Sequence, residues 1–196
     1  MKGTYRCILP VLVAAALGCG ASRRGDAAVF ADAARTDPRG QPYVIGVSDV
    51  VRVTVWKDAS LSADVAVLPD GTIILPLVGA VPAAGTTAAG LQAKVAEKLA
   101  AFTKDPVVTV SVAEVNSYRF TVAGNVEHPG MFASKYFVTI SQAIALAGGP
   151  NRYADTADVV LVRGDRRISI DYDGILSGKS PEQDIVVLAG DALRVP

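Results

Sequence analysis

The side chains able to do chemistry are few and scattered. The chain holds one histidine, His128, set in His128-Pro129-Gly130. A zinc site needs several nitrogen or sulfur ligands, and a hydrolase needs a nucleophile beside a base, often shown on a Gly-x-Ser-x-Gly elbow. Neither a second histidine nor that elbow occurs, so His128 reads as a turn residue. Asp155 with Asp158, and Asp171 with Asp173, invite comparison with a glycosidase, whose two carboxyls stand about 5 to 10 Å apart. Their places beside apolar runs suit loops and strand ends better. The glycines lack the Gly-x-Gly-x-x-Gly or Gly-x-x-x-x-Gly-Lys-Ser spacing of a phosphate cradle and read as turn residues. Trp56, Tyr118, Tyr136 and Tyr153 could stack on sugars, yet at strand ends and in loops they read first as core anchors. The residue types imply no catalysis, no metal site and no cofactor.

Cysteine chemistry points elsewhere. Lys2 and Arg6 precede an apolar run from Ile8 to Leu17, too short for a bilayer that needs about twenty residues and suited to a cleavable leader. The run ends in Ala16-Leu17-Gly18-Cys19, which resembles the lipobox of bacterial lipoproteins. Of the two cysteines, Cys7 would leave with the leader. Cys19 would remain with no partner for a disulfide, and acylation gives it a purpose. Each buried acyl methylene contributes about 0.8 kcal/mol, so several chains would hold the protein at a membrane. Nineteen basic residues balance nineteen acidic ones, so net charge recruits neither nucleic acid nor an anionic membrane.

The elements that position these residues follow from periodicity. Residues 19–42 show no clear period and predict a flexible tether. In VVRVTVW, Val51, Val53 and Val55 alternate with Arg52 and Thr54, which predicts a half-buried strand. Asp70-Gly71 between VAVLP and TIILPLVG predicts a hairpin turn. Leu91, Val95, Leu99 and Phe102 recur at helical spacing and predict one amphipathic helix from Thr87 to Phe102. VVTVSVAEV returns to strand. A second unit opens near Tyr118 with YRFTVAGNV, and Thr139 with Gln142 forms a capping box for a short helix ending at Gly148-Gly149. VVLVR and RRISIDY flank Gly164-Asp165 as a second hairpin, and IVVLAGDALRVP closes the unit. The expected fold class is α+β: two small β-rich units, each with one helix.

At these residues the chain resembles the outer-membrane polysaccharide export family. Tyr43 to Val50, with Gly46 and Asp49, looks like the opening of the polysaccharide export domain. Asp70 and Gly71, Pro76 to Gly79, and Asp105-Pro106 before Val107 continue the likeness in order. The family's usual Pro-Gly before the first aspartate is Val47-Ser48 here. Gly124, Pro129, Gly130, Gly148, Gly149, Gly190 and Asp191 are similar to the pattern of a soluble-ligand-binding β-grasp (SLBB) module. The resemblance implies a leader over 1–18, a tether over 19–42, an export domain over 43–115 and a β-grasp domain over 116–196. It further implies a non-enzymatic lipoprotein on the periplasmic side of the outer membrane, assembled as a homo-oligomeric ring. Its partners would be an inner-membrane polysaccharide co-polymerase, a separate outer-membrane channel of β-barrel type, and the exported polysaccharide through weak contacts. Longer members of the family add a C-terminal membrane helix. The chain stops at Val195-Pro196, so it reads as a short form that makes no pore alone. A lipid-anchored sugar-binding sensor is the competing reading.

Overall fold

The computed structural model describes residues 23–196, so the expected leader and Cys19 lie outside the described residues. Helix α1 (Arg23–Arg35) comes first and places Phe30, which is buried, against the core of the second unit, with Val29 and Ala33 beside it. Within the stretch 19–42, expected as a tether, Arg23–Arg35 is helical; residues 19–22 lie outside the described residues. The stretch has no strong apolar period, but one aromatic side chain finds a pocket on a neighbouring unit, and that docking is invisible to local patterning.

The first unit rests on a three-stranded antiparallel sheet in the order β2-β1-β5, formed by β1 (Val50–Val55), β2 (Asp58–Ala66) and β5 (Val108–Glu114). Alternation sets its faces: Val51, Val53 and Val55 are buried, and Arg52 and Thr54 point to solvent. A separate ribbon pairs β3 (Thr72–Leu75) with β4 (Gly79–Pro82). The Asp70-Gly71 turn is present, with Gly71 N–H donating to the Leu68 carbonyl. It does not close a hairpin, however, because β2 ladders onto β1 and β3 onto β4. Helix α2 (Ala88–Leu99) starts where the Thr87 hydroxyl accepts from Gly90 N–H, and it buries Leu91, Val95 and Leu99 over the sheet. Each of these side chains contributes about 1.5–3 kcal/mol by leaving water. Phe102 was expected on the same face but is 59% exposed, because the helix ends at Leu99 and the next residues turn away.

The second unit is a five-stranded mixed sheet in the order β7-β6-β10-β8-β9. Its strands are β6 (Arg119–Gly124), β7 (Gly130–Ala133), β8 (Val159–Arg163), β9 (Arg166–Ile170) and β10 (Ala192–Val195). The last strand lies parallel to β6 and antiparallel to β8, stitching the two hairpins into one sheet. Across one face lie α3 (Ile140–Leu146), with Ile140, Ala143 and Ile144 buried, and the short α4 (Tyr172–Leu176). The capping box is seen in Thr139 N–H donating to Gln142 Oε1 at 3.0 Å, and the Asp184 carboxylate takes Ser141 N–H at 2.9 Å. The fold is α+β, with small β-rich units, each with its own apolar cluster. The second unit carries α4 beyond the single helix expected.

The residue before Asp49 shows the cost of the departure from Pro-Gly. Ser48 sits at φ 75°, a left-handed conformation that glycine adopts without strain, while its N–H donates to the Val67 carbonyl at 2.9 Å. Relief of that strain is worth about 1–2 kcal/mol, against about 0.5–1 kcal/mol for the extra freedom of glycine in the unfolded chain. The substitution Ser48→Gly is therefore expected to raise stability by about 0.5–1 kcal/mol, a rise of a few degrees in melting temperature by calorimetry. A lower melting temperature would show that the serine is not strained.

Candidate functional site

Among the described residues, one carboxylate with four donors lies buried at the meeting of the two units. Asp49 has no exposed surface. Its Oδ2 accepts from the Tyr43 hydroxyl at 2.6 Å and from Gly46 N–H at 2.8 Å. Its Oδ1 accepts from the N–H groups of Asn116 and Ser117, both at 2.8 Å. Asn116 and Ser117 lie between β5 and β6, so one side chain ties the entry of the first unit to its exit. The Tyr43 hydroxyl also meets Ser117 Oγ at 3.0 Å. Gly46 is needed for closeness: a Cβ there would run into the Ser117 side chain.

Burial by itself would raise the Asp49 carboxyl, but the Tyr43 hydroxyl and the three backbone N–H donors outweigh it and hold the group below the usual carboxylate range. The Tyr43 hydroxyl is pushed up to about 12, first by burial and then by the neighbouring carboxylate. Both groups are thus locked in one protonation state at neutral pH, which suits a clasp and not a proton-transfer site.

The second unit has a matching clasp. Asp191 accepts from Arg163 Nη2 and Leu188 N–H, each at 2.7 Å, and Arg163 Nη2 also donates to the Val186 carbonyl at 2.7 Å. Gly124 lets β6 and β10 approach, since a Cβ there would meet the Val195 carbonyl. The other residues singled out by the resemblance hold turns. Asp70 accepts from Thr72 N–H at 2.9 Å, Pro76 accepts from Val78 N–H, and Gly148 and Gly149 close α3. Gly71, Gly79 and Gly190 have positive φ, Gly130 opens β7, and Pro106 and Pro129 lie in connections before strands. Asp49 and Gly46 are brought together; Asp191 and Gly124 stand apart from them at the ends of the second sheet.

The carboxylates that invite comparison with a glycosidase hold local structure. Asp171 caps α4 through Gly174 N–H and Asp155 accepts from Ala157 N–H in its own turn, while Asp158 takes the Ser169 hydroxyl across the β8–β9 pair. The sequence does contain one Gly-Lys-Ser, Gly178-Lys179-Ser180. Three residues rather than four separate it from Gly174, and it follows the end of α4 instead of opening a helix, where phosphate is held. Among the described residues no three metal-ligating side chains gather.

The aromatic residues depart from expectation. Only Tyr118 is a core anchor, its hydroxyl donating to the Val187 carbonyl at 2.7 Å, while Trp56, Tyr136 and Tyr153 are 69%, 69% and 67% exposed. Tyr118 and Tyr136 border shallow clefts, the first at the junction and the second on the second unit. One of about 150 Å³ is walled by Pro42, Tyr43, Tyr118 and Phe137, and another of about 330 Å³ lies between Tyr136 and Leu146.

The clasp makes a definite prediction. An asparagine at position 49 offers one acceptor oxygen where the carboxylate serves four donors, so Asp49→Asn should cost about 3 kcal/mol or more in urea unfolding at neutral pH. Because the folded-state pKa lies below the unfolded value of about 3.9, the carboxylate stabilises the fold above that pH. That contribution is lost as pH falls through the folded pKa. Wild type should therefore lose stability below about pH 4, and the variant should show a shallower acid limb. Equal stability of the two proteins at neutral pH would contradict the role given to Asp49.

Comparison with known proteins agrees with this organisation. Residues 37–113 match the family described as polysaccharide biosynthesis/export protein, and residues 119–174 match the SLBB domain. The chain is 26% identical to the EPS I polysaccharide export outer membrane protein EpsA of Ralstonia nicotianae, over 80% of this chain and 48% of that protein. It is 25% identical to the capsule polysaccharide export protein BexD of Haemophilus influenzae, over 80% and 44%. Against the polysialic acid transport protein KpsD of Escherichia coli the identity is 30%, over 76% and 27%. The chain thus spans less than half the length of these curated relatives. With an export-family region followed in order by an SLBB region, and relatives named for polysaccharide export, the chain belongs to the polysaccharide export protein family.

Proposed function

We propose that this protein is a lipid-anchored, non-enzymatic component of a machine exporting capsule or exopolysaccharide, held at the periplasmic face of the outer membrane through Cys19. The observation that carries the reading is the succession of the two matched regions, export domain then SLBB, in a chain whose relatives are named as export proteins. In this reading the chain folds as an export domain over 43–115 and a β-grasp domain over 116–196. It bridges an inner-membrane co-polymerase and a separate outer-membrane β-barrel, and copies of it form a ring. The edge strands β2, β5, β7 and β9 offer unpaired backbone for such contacts. Anchorage by acylation would fit a chain in which, among the described residues, no helix is long and apolar enough to cross a membrane. A sugar sensor is less well supported. Small-ligand pockets usually enclose about 300–1,000 Å³, and two clefts among the described residues, about 150 Å³ at the junction and 330 Å³ beside α3, fall below or at the bottom of that range.

Deletion of the gene should abolish surface polymer while the sugar-assembly enzymes remain active, and normal surface polymer in the deletion strain would defeat the export reading. The anchor is tested separately: Cys19→Ala should move the protein to a soluble periplasmic fraction without changing its unfolding curve, and continued membrane fractionation would refute acylation.

A further inference from the structure

The five-stranded sheet has one face covered by α3 and α4 and, among the described residues, one open face that carries three arginines. On the open face the strand register sets Met131, Thr121, Ala192, Val162 and Arg167 in one row across the sheet, with Ala123, Arg194, Val160 and Ser169 in the next. Arg119, two residues before Thr121 on β6, shares that face. Arg119, Arg167 and Arg194 are all exposed. The ion pairs of the described residues are Arg39–Asp37, Arg52–Asp64 and Arg163–Asp191, so none of the three is neutralised by a carboxylate. Arg119 donates its Nε to the Asn116 carbonyl, and Asp158, bonded to Ser169, is the acid at the rim. Of the unit's other acids, Asp171 caps α4, Asp184 accepts from Ser141 N–H on the first turn of α3, Asp191 is buried against Arg163, and Asp165 lies in the turn between β8 and β9.

We propose that this open face is a contact surface for an anionic polysaccharide, one whose sugars carry carboxylates of the uronic or sialic acid class. The proposal rests on the export reading and adds the chemical class of the cargo. Strand spacings of ~4.8 Å and ~3.3 Å per residue put the three arginines roughly 12 to 16 Å apart, a few sugar units along a polymer. A guanidinium fork matches a carboxylate in geometry and charge. Between the arginines lie side chains no larger than valine, Ala123, Ala192, Thr121, Ser169, Val160 and Val162, over which a chain can lie flat. A second copy of the protein is a poorer occupant. Protein interfaces centre on large buried anchors, and the large exposed apolar side chain on this face, Met131, stands on the edge strand β7. Exposed arginines bind weakly and are screened by salt, so each contact releases easily and the polymer can move on.

The full chain in neutral detergent should be titrated with oligogalacturonate and, separately, with neutral dextran of equal length, followed by NMR at low salt. The expected result is saturable binding of oligogalacturonate with shifts centred on residues 119, 167 and 194, weakened about tenfold in the Arg119→Gln, Arg167→Gln, Arg194→Gln triple variant, and none with dextran. A triple lysine variant, which keeps the charge but not the fork, should bind more weakly than wild type and more tightly than the glutamine variant, and so separates loss of charge from damage to the fold. No binding, equal binding of dextran, or unchanged binding in the glutamine variant overturns the proposal. So does a self-association, measured by sedimentation, that the glutamine variant abolishes while oligogalacturonate binding persists, since the face would then belong to a second copy. Complementation of the deletion strain keeps the two readings apart. Restored surface polymer with no oligogalacturonate binding rejects the acidic cargo alone, and failure of the wild-type gene to restore polymer rejects the export reading.

Discussion

A carboxylate without exposed surface is costly unless its oxygens are fully satisfied, and the arrangement of this chain turns on meeting that requirement at Asp49. The four donors come from Tyr43, Gly46, Asn116 and Ser117. The first two precede the first sheet in sequence and the last two follow it, so the bonds form together only when β1, β2 and β5 have assembled. The same bonds hold the short passage from β5 to β6 in place. Gly46 must be small for Ser117 to come close, and Ser48 must accept a left-handed backbone for the carboxylate to turn inward. Three residues with unlike roles are thus constrained by one charge.

The device recurs at the end of the chain. Ile45-Gly46-Val47-Ser48-Asp49-Val50-Val51-Arg52-Val53 and Val187-Leu188-Ala189-Gly190-Asp191-Ala192-Leu193-Arg194-Val195 align residue for residue. In each, the N–H three positions before the aspartate donates to its carboxylate, and the residue before it has a left-handed φ, 75° at Ser48 and 85° at Gly190. In each a strand follows with two inward apolar residues around an outward arginine. The partners then diverge. Asp49 spends its remaining capacity on neutral donors at the junction, and Asp191 on Arg163 within its own sheet. A single local motif can therefore either join two units or brace one, according to what the rest of the chain brings to the second oxygen.

What the sequence made legible follows from range. Strands with strict alternation, such as β1 and β9, and the capping box of α3 are local signals, and they stand where periodicity places them. Strand β2 was not anticipated, because DASLSADVA has no clean alternation and the strand is held by pairing to β1. The hairpin expected at Asp70-Gly71 failed for the same reason: the turn is local, but the choice of ladder partner is not. Aromatic burial was misjudged because a tyrosine at a strand end gives no sign of whether another element covers it; Tyr118 is covered by Phe137 and Tyr136 is not. Asp49 and Asp191 were singled out as family-motif positions, but their partners at 116, 117 and 163 had no signal in any window.

The junction also decides how a force or a motion passes between the units. A flexible connector would need glycine or a run of polar residues without fixed bonds. The passage from β5 to β6 instead reads Val115-Asn116-Ser117-Tyr118, with two of its N–H groups fixed on Asp49 and the Tyr118 hydroxyl bonded to the Val187 carbonyl in the second core. Bending there would break two of the bonds that satisfy the buried Asp49 carboxylate, and a buried charge left without its donors is costly. The passage between the units is therefore a bonded joint and not a free linker: the same four donors that make the charge tolerable also fix where the second sheet begins.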